Sequence, residues 1–296
     1  MTKIAAIIVC YFPDARRLAG LTLALAHAVD EIIIFNNGGL DEGDLPSLGG
    51  KLSIAMREGR NLGIATALNL ACEAAQQRGC QYAVIFDQDS QPDSNMIARL
   101  LVEFQEWKQQ GYKVAAIGPQ IVDLRGGSER RAPFVRVSRY SCRKVFEEGT
   151  VQVSGLITSG CLLDLSVWKD VAKFDDDLFI DFVDHNWCWQ VAAKGYVVLG
   201  TTKVKMVHEL SSELRTAGQY TLTMYGPTRR YFQSRNAVYH LLHYPFSIGR
   251  AQFAIITLAH TILSAAVVDN ARWNSLWQCL RGASHGAQKR LGPFRA

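Results

Sequence analysis

Three short apolar runs, Ile4 to Val9, Glu31 to Phe35 and Tyr82 to Phe86, alternate with stretches of helical periodicity in the first half of the chain. Near-continuous apolar strands are the kind buried on both faces, as happens in a parallel sheet built from βαβ units. The helical stretches are Arg16 to Val29 and Ile64 to Arg78, and Gly79 closes the second as a C-cap residue. A fourth strand is predicted at Val114 to Gly118, after a helix over Ser94 to Gln110 with apolar positions at Met96, Ile97, Leu100, Leu101 and Phe104. The expected class is therefore α/β, with a Rossmann-like, mostly parallel central sheet flanked by helices.

The second half is less regular. Residues Asp123 to Glu148 are rich in Arg, Gly and Ser and lack periodicity, which predicts a long mobile connection. Val151 to Leu163 is a β-rich run, Phe174 to Trp189 an acidic, aromatic block, and Tyr196 to Leu199 a further strand. Phe253 to Val268 gives roughly 16 mostly apolar residues where a membrane span needs about 20, so a core or interfacial helix is expected. The simplest organisation is a catalytic domain over 1–240 and a helical C-terminal extension over 241–296.

With 48% hydrophobic and 20% charged residues among 296, the chain is globular rather than disordered or collagenous. Its start reads as a buried strand, without the small-residue cleavage site of a signal peptide. Seven cysteines without a C-x-x-C pair indicate neither a disulfide framework nor a zinc ribbon, and predict reduced core thiols in the cytosol. The formal charge of +5 is mild, although basic residues cluster at Arg130-Arg131, Arg136 to Lys144, Arg229-Arg230 and the C-terminal tail. Such clusters suit phosphate groups, an anionic membrane surface or plain solvated loops. There is no P-loop and no G-x-G-x-x-G to support a nucleotide-dependent kinase or dehydrogenase, and no recognised module or basic stripe with aromatics, so no nucleic-acid partner is expected.

The chemistry is expected at Asp87-Gln88-Asp89-Ser90, directly after the strand Tyr82 to Phe86. Open α/β sheets bind ligands at the C-terminal ends of their strands. Two carboxylates one residue apart there suit a divalent cation, Mg²⁺ or Mn²⁺, on a nucleotide diphosphate. Taken alone, the tetrapeptide reads first as a turn whose Asp caps the next helix, and only second as a metal site.

Neighbouring blocks carry more information. Val9-Cys10-Tyr11-Phe12-Pro13-Asp14, Ile34-Phe35-Asn36-Asn37-Gly38, and Asn61-Leu62-Gly63-Ile64-Ala65 with Asn69 precede the acidic segment. Thr158-Ser159-Gly160, Phe174-Asp175, Leu178-Phe179-Ile180-Asp181-Phe182-Val183-Asp184, Met206-Val207-His208 and Arg229-Arg230-Tyr231 with Arg235-Asn236 follow it. In this combination, from about Ile4 to about Asn236, the sequence resembles the family 2 glycosyltransferases of the GT-A fold, and within them the bacterial rhamnosyltransferases of O-antigen and lipopolysaccharide core synthesis.

That resemblance implies an inverting transfer of L-rhamnose from dTDP-L-rhamnose to a saccharide or lipid-linked saccharide. It places Asp184 as the catalytic base, and Asp89 as the principal metal ligand with His208 completing the shell. Asp87 is implied on the ribose, or on the metal through water. Tyr11, Pro13, Asn36 and Asn61 are implied around the nucleotide, Asn36 accepting the N3 hydrogen of the pyrimidine, which both uracil and thymine carry. Arg229 or Arg230 together with Arg235 is implied at the diphosphate. Asp181, Ser159 and Trp187 are implied on the sugar or acceptor side, although Trp187 and Trp189 also fit the core.

Asn36 stands where the family commonly has Asp, Asn186 where the branch has Glu, and Gln190 where it has Arg. A family 2 transferase using a UDP-sugar and a sugar nucleotidyltransferase are the rival readings. The second would want a Gly-rich basic loop after the first strand, which Tyr11 to Leu21 lacks. The C-terminal region mixes Trp273, Leu276 and Trp277 with Arg281, Lys289 and Arg290. That suits peripheral contact with the inner face of the cytoplasmic membrane, packing on the catalytic domain, or a homodimer interface.

Overall fold

The first run of apolar residues forms β1 (Ile4–Cys10), and the chain then turns through Asp14, whose carboxylate accepts the Arg17 N–H at 2.9 Å and caps α1 (Ala15–Leu25). This computed structural model describes residues 2–41, 43, 45–46, 51–56, 60–124, 129–208, 214–217 and 220–294. The next elements are β2 (Glu31–Asn36), β3 (Leu52–Met56), α2 (Ile64–Gln77), β4 (Tyr82–Asp87), α3 (Met96–Gln109) and β5 (Val114–Asp123). β1 pairs in parallel with β2 and β4, and β2 in parallel with β3. β1 and β2 are almost wholly buried, as strands covered on both faces must be. The strand β3 had not been expected.

The stretch predicted as a structureless connection instead holds β6 (Arg130–Arg131), β7 (Phe134–Val137) and β8 (Cys142–Val145). Its alternation is too short to register as a pattern, because these are strands of two and four residues. The β-rich run over Val151 to Leu163 divides into β9 (Thr150–Val153) and β10 (Leu162–Asp164). β10 inserts antiparallel between β4 and β5, so the sheet is not parallel at its centre.

After α4 (Leu165–Asp170) and α5 (Val183–Ala193) comes β11 (Val197–Val207), parallel to β5 and longer than the strand predicted at Tyr196 to Leu199. The strand order is β3-β2-β1-β4-β10-β5-β11-β9, with β6 on β5. α2 packs on β1 and β2, and α3 on β5 and β11.

The remaining elements are the hairpin β12 (Leu214–Ala217) and β13 (Tyr220–Thr223), followed by α6 (Pro227–His243), α7 (Ile248–Val267) and α8 (Arg272–Ala287). The chain divides into two compact units. One comprises 1–134, 145–175 and 184–208 and contains the sheet; the other comprises 135–144, 176–183 and 209–296 and contains α6, α7 and α8. This division does not fall at residue 240, because α6 groups with the C-terminal helices rather than with the sheet.

Within the helical unit, α8 lies close against α6. A β-carbon added at Gly282 would stand 2.2 Å from the carbonyl oxygen of Tyr231, and one at Gly286 2.2 Å from that of Arg235. Only glycine permits that backbone approach.

Candidate active site

In the sheet unit, β4 ends at Asp87 and delivers Asp87-Gln88-Asp89-Ser90 to the C-terminal edge. The turn closes by a Ser90 N–H to Asp87 carbonyl bond of 3.0 Å. α3 begins nine residues after Asp87, with Asn95 in its N-cap position, so neither aspartate caps that helix. The capping alternative is removed.

The same turn is held from three sides. Ser90 Oγ lies 2.8 Å from Ser159 Oγ, and the Asp87 N–H donates to Ser159 Oγ at 3.4 Å. Gln88 forms a reciprocal pair with the Tyr11 backbone: its Oε1 accepts the Tyr11 N–H at 2.8 Å and its Nε2 donates to the Tyr11 carbonyl at 3.2 Å. Gln91 bridges to Val207 at the end of β11, which sets His208 beside the turn. As a result Asp87, Asp89 and His208 place one ligand atom each within 4.8 Å of one another. His208 Nε2 is 3.2 Å from Asp87 Oδ2.

Two carboxylates and an imidazole nitrogen, all partly exposed, form a donor set suited to a divalent cation. Asp87 stands in this cluster as closely as Asp89 does, which departs from the lesser role implied for it.

Other expected residues have different environments. Asn36 is 7% exposed, and its Oδ1 already accepts the N–H groups of Gly38 at 3.0 Å and Leu40 at 3.4 Å. Both lone pairs of that oxygen are used, so the expected acceptance of a base N3 hydrogen is corrected to an Asx-type turn that shapes the loop. Asn37, which sequence reasoning did not single out, accepts the Leu62 N–H at 2.7 Å and donates to Asn61 Oδ1 at 2.9 Å. Asn61 in turn accepts the Gly63 N–H at 2.8 Å, fixing the entry to α2. Tyr11 is half-exposed and Pro13 partly exposed at the end of β1.

Ser159 is 1% exposed and is spent on the acidic turn, so its expected sugar contact becomes support of that turn. Trp187 is equally buried, donates its indole N–H to the Ala172 carbonyl at 2.7 Å and lies 5.6 Å from the Phe174 ring. It is a core residue.

Asp184 sits in the first turn of α5, where the helix dipole favours a negative charge. With Ile85, Thr158 and Cys161 it lines a small cavity. Its Oδ1 accepts the His185 N–H at 2.8 Å and lies 2.9 Å from His185 Nδ1. Burial pushes its pKa up, but the charge and hydrogen bonds of His185 outweigh burial and hold it below the usual carboxylate value. His185 is a second residue that sequence reasoning passed over; a histidine abutting the presumed base was the available signal. The adjacent Asn186 is fully buried, and neither side-chain polar atom has a hydrogen-bond partner among the described residues.

Within the helical unit, Asp181 pairs with Arg229 at 3.2 Å, and the Arg229 guanidinium stacks 4.1 Å from the Tyr225 ring. The segment carrying Asp181 has positive φ at Phe179 (64°), Asp181 (63°) and Phe182 (65°). Asn236 holds it, donating Nδ2 to the carbonyls of Ile180 and Asp181, both at 2.8 Å, and Leu178 at 3.1 Å.

Arg230 and Arg235 are 1% and 0% exposed. Arg230 forms a two-pronged pair with Asp269, each contact 2.8 Å, and Arg235 donates to the Leu178 carbonyl at 2.7 Å and that of Asp177 at 3.1 Å. The expectation that these two guanidiniums hold a diphosphate is corrected: they are consumed inside the unit, and Arg229 alone of the three is half-exposed.

The sequence model described as Glycosyl transferase family 2 matches residues 6–167. The dTDP-rhamnosyl transferase RfbF of Shigella flexneri is 26% identical over 280 residues, covering 91% of this chain and 90% of that protein. Among solved structures, S. aureus TarS 1-349 in complex with UDP-GlcNAc superimposes with a TM-score of 0.60 at 12% identity, covering 98% of this chain and 82% of that one. GalNAc-T7 with UDP, GalNAc and Mn²⁺ gives a TM-score of 0.55 at 12% identity, covering 97% and 58%. These structural likenesses establish a GT-A type of fold, and the family match extends over more than half of the sequence: the chain belongs to glycosyl transferase family 2.

Proposed function

We propose that this protein is a metal-dependent, inverting rhamnosyltransferase. It would move L-rhamnose from dTDP-L-rhamnose to a saccharide or lipid-linked saccharide acceptor in bacterial surface polysaccharide synthesis. The observation that carries the reading is the 26% identity to a dTDP-rhamnosyl transferase along nine-tenths of both chains. The converging Asp87, Asp89 and His208 support the metal dependence. Seven free cysteines, six of them buried, suit a reducing compartment such as the bacterial cytoplasm.

In the proposed reaction Asp89, His208 and Asp87 would hold Mg²⁺ or Mn²⁺. That cation, when bound, supplies positive charge against the leaving diphosphate. The chain's own residues do the rest. Asp184 is ionised at neutral pH and takes the proton of the acceptor hydroxyl as that oxygen bonds to the anomeric carbon. The bond from the anomeric carbon to the diphosphate oxygen breaks on the opposite face, dTDP departs, and a β-linked donor yields an α-rhamnoside. Tyr11, held by Gln88, borders the nucleotide with Pro13 and Asn61. Asp181, positioned by Arg229, is proposed to contact sugar or acceptor.

A thermal-shift panel of dTDP, UDP and GDP with and without Mn²⁺ tests the donor. Stabilisation by dTDP that depends on Mn²⁺ supports the reading; preferential stabilisation by UDP would assign the chain to a UDP-sugar.

A further inference from the structure

Helix α7 has its polarity reversed for a helix at the surface of a water-exposed unit. The residues it buries are small or hydroxylated, among them Gly249, Ala254, Thr261, Ser264 and Ala265. Its large aliphatic side chains face outward: Ile248, Ile255, Ile256, Ile262, Leu263 and Val267 are all exposed. Their spacing follows the helical repeat, so they make one continuous stripe. α8 carries a second exposed apolar row at helical spacing, with Trp273 80%, Trp277 62% and Leu280 66% exposed. Phe246, just before α7, is 79% exposed. So many large exposed apolar side chains on two adjacent helices mark an interaction site.

The charge around the stripe selects its partner. Residues 227–296 hold nine Lys and Arg and a single carboxylate, Asp269, a formal charge of +8 when the whole chain carries +5 and the remainder therefore −3. Asp269 is itself buried against Arg230, so the exposed surface of this segment is purely cationic. Arg272, Lys289 and Arg290 are exposed on α8 and just beyond it. The other acids of the same unit among its described residues, Asp176, Asp177 and Asp181, lie off α7 and α8, so a second copy of this face would bring like charge to like charge. An anionic lipid surface answers both features, accepting the aliphatic stripe below its headgroups and pairing with the lysine and arginine side chains at them. Tryptophan is the side chain best suited to that boundary.

α7 has 20 residues and is long and apolar enough by composition to cross a bilayer. Its other face, however, packs on α6 and α8, and Gly249 is wedged against the backbone carbonyls of Ser138 and Ser141 within the same unit. A helix anchored along one side lies in the interface rather than across it.

We propose that the exposed face of α7 and α8 docks the protein on a membrane rich in anionic phospholipid. The inference is independent of the donor assigned above, since it uses no residue of the sheet unit.

The test is flotation of the full-length protein with phosphatidylglycerol-containing vesicles, with phosphatidylcholine vesicles as control. The protein should float with the anionic vesicles and be released by roughly 0.5 M salt to a large extent. The Trp273→Ala/Trp277→Ala variant should lose about tenfold or more in partitioning while its thermal transition stays unchanged. An Arg272→Gln/Lys289→Gln/Arg290→Gln variant, far from the α7 stripe's packing, should weaken anionic binding alone. Light scattering without lipid should report a monomer. Failure of the folded protein to float, or equal binding to both vesicle types, would overturn the proposal. So would a stable dimer broken by Ile255→Ser/Ile262→Ser.

Discussion

His208 Nε2 stands 3.2 Å from Asp87 Oδ2, a contact made because the turn after β4 bridges at Gln91 to the end of β11. Two loops at one edge of the sheet thereby present a carboxylate pair and an imidazole to a common point. If this point holds the cation, Asp89→Asn and His208→Ala each lower Mn²⁺-dependent nucleotide affinity by about 10- to 100-fold, as loss of a ligand or its orientation typically does. Titration calorimetry of dTDP with and without Mn²⁺ reads this directly. Unchanged affinity in both variants would place the cation elsewhere.

The pairing of Asp184 with His185 predicts a pH effect. Burial alone would raise the Asp184 pKa, and His185 is what lowers it. In the wild type the carboxylate therefore remains ionised to below the ordinary carboxylate range, and activity is not lost through it near neutrality. His185→Ala removes the imidazole's charge and its hydrogen bond while the backbone N–H stays, so the folded pKa rises and the acid limb of the kcat/KM profile moves to higher pH. An unshifted limb in a folded His185→Ala variant would separate this histidine from the base.

Asn236 gives one amide group to the carbonyls of Leu178, Ile180 and Asp181, in a segment with three non-glycine residues at positive φ. Such backbone is held only by its surroundings. Asn236→Ala takes a donor from the carbonyls of Ile180 and Asp181, the Leu178 carbonyl keeping Arg235, and should cost about 1–3 kcal/mol in urea denaturation. Because the same bonds position Asp181, the KM for acceptor should rise more than that for donor.

Arg230 and Asp269 are each about 1% exposed and doubly bonded. Removing the cation in Arg230→Met strands a buried carboxylate and should cost about 3–5 kcal/mol, whereas Arg230→Met/Asp269→Leu should recover much of it. Burial raises the Asp269 pKa, but its bonds to Arg230 and to the Tyr225 amide outweigh burial, giving a net value below the usual one. The stability this contributes is present above the unfolded pKa near 4 and is lost as pH falls through the lower folded value. Denaturation midpoints should therefore drop on acidification more steeply in the wild type than in the double variant.

What the sequence disclosed follows from how far each feature depends on distant partners. β1, β2 and β4 are legible because burial on both faces prints a continuous apolar run, and α2 because its apolar period and Gly79 are local. β10 is three residues long and owes its place between β4 and β5 to pairing on both sides, which no local pattern records. The acidic turn was legible as a site by position and block resemblance. Its third member, His208, was expected, whereas the bracing by Gln88 and Ser159 arises only when β1, β4 and the loop before β10 meet.

Arg230 and Arg235 misled for a related reason. An arginine in a row of basic residues reads as ligand-facing until Asp269, or the carbonyls of 177–178, is seen opposite it. Asn36 misled because an amide beside Gly38 closes its own loop.

The central claim is tested most directly by turnover of dTDP-L-rhamnose, with UDP-sugars as competitors, on a lipid-linked or oligosaccharide acceptor panel. Transfer of rhamnose with inversion is predicted, abolished by EDTA, restored by Mn²⁺ or Mg²⁺, and reduced at least about 10³-fold in a folded Asp184→Asn variant that still binds dTDP. Undiminished turnover in that variant, or transfer only from a UDP-sugar, would contradict the account.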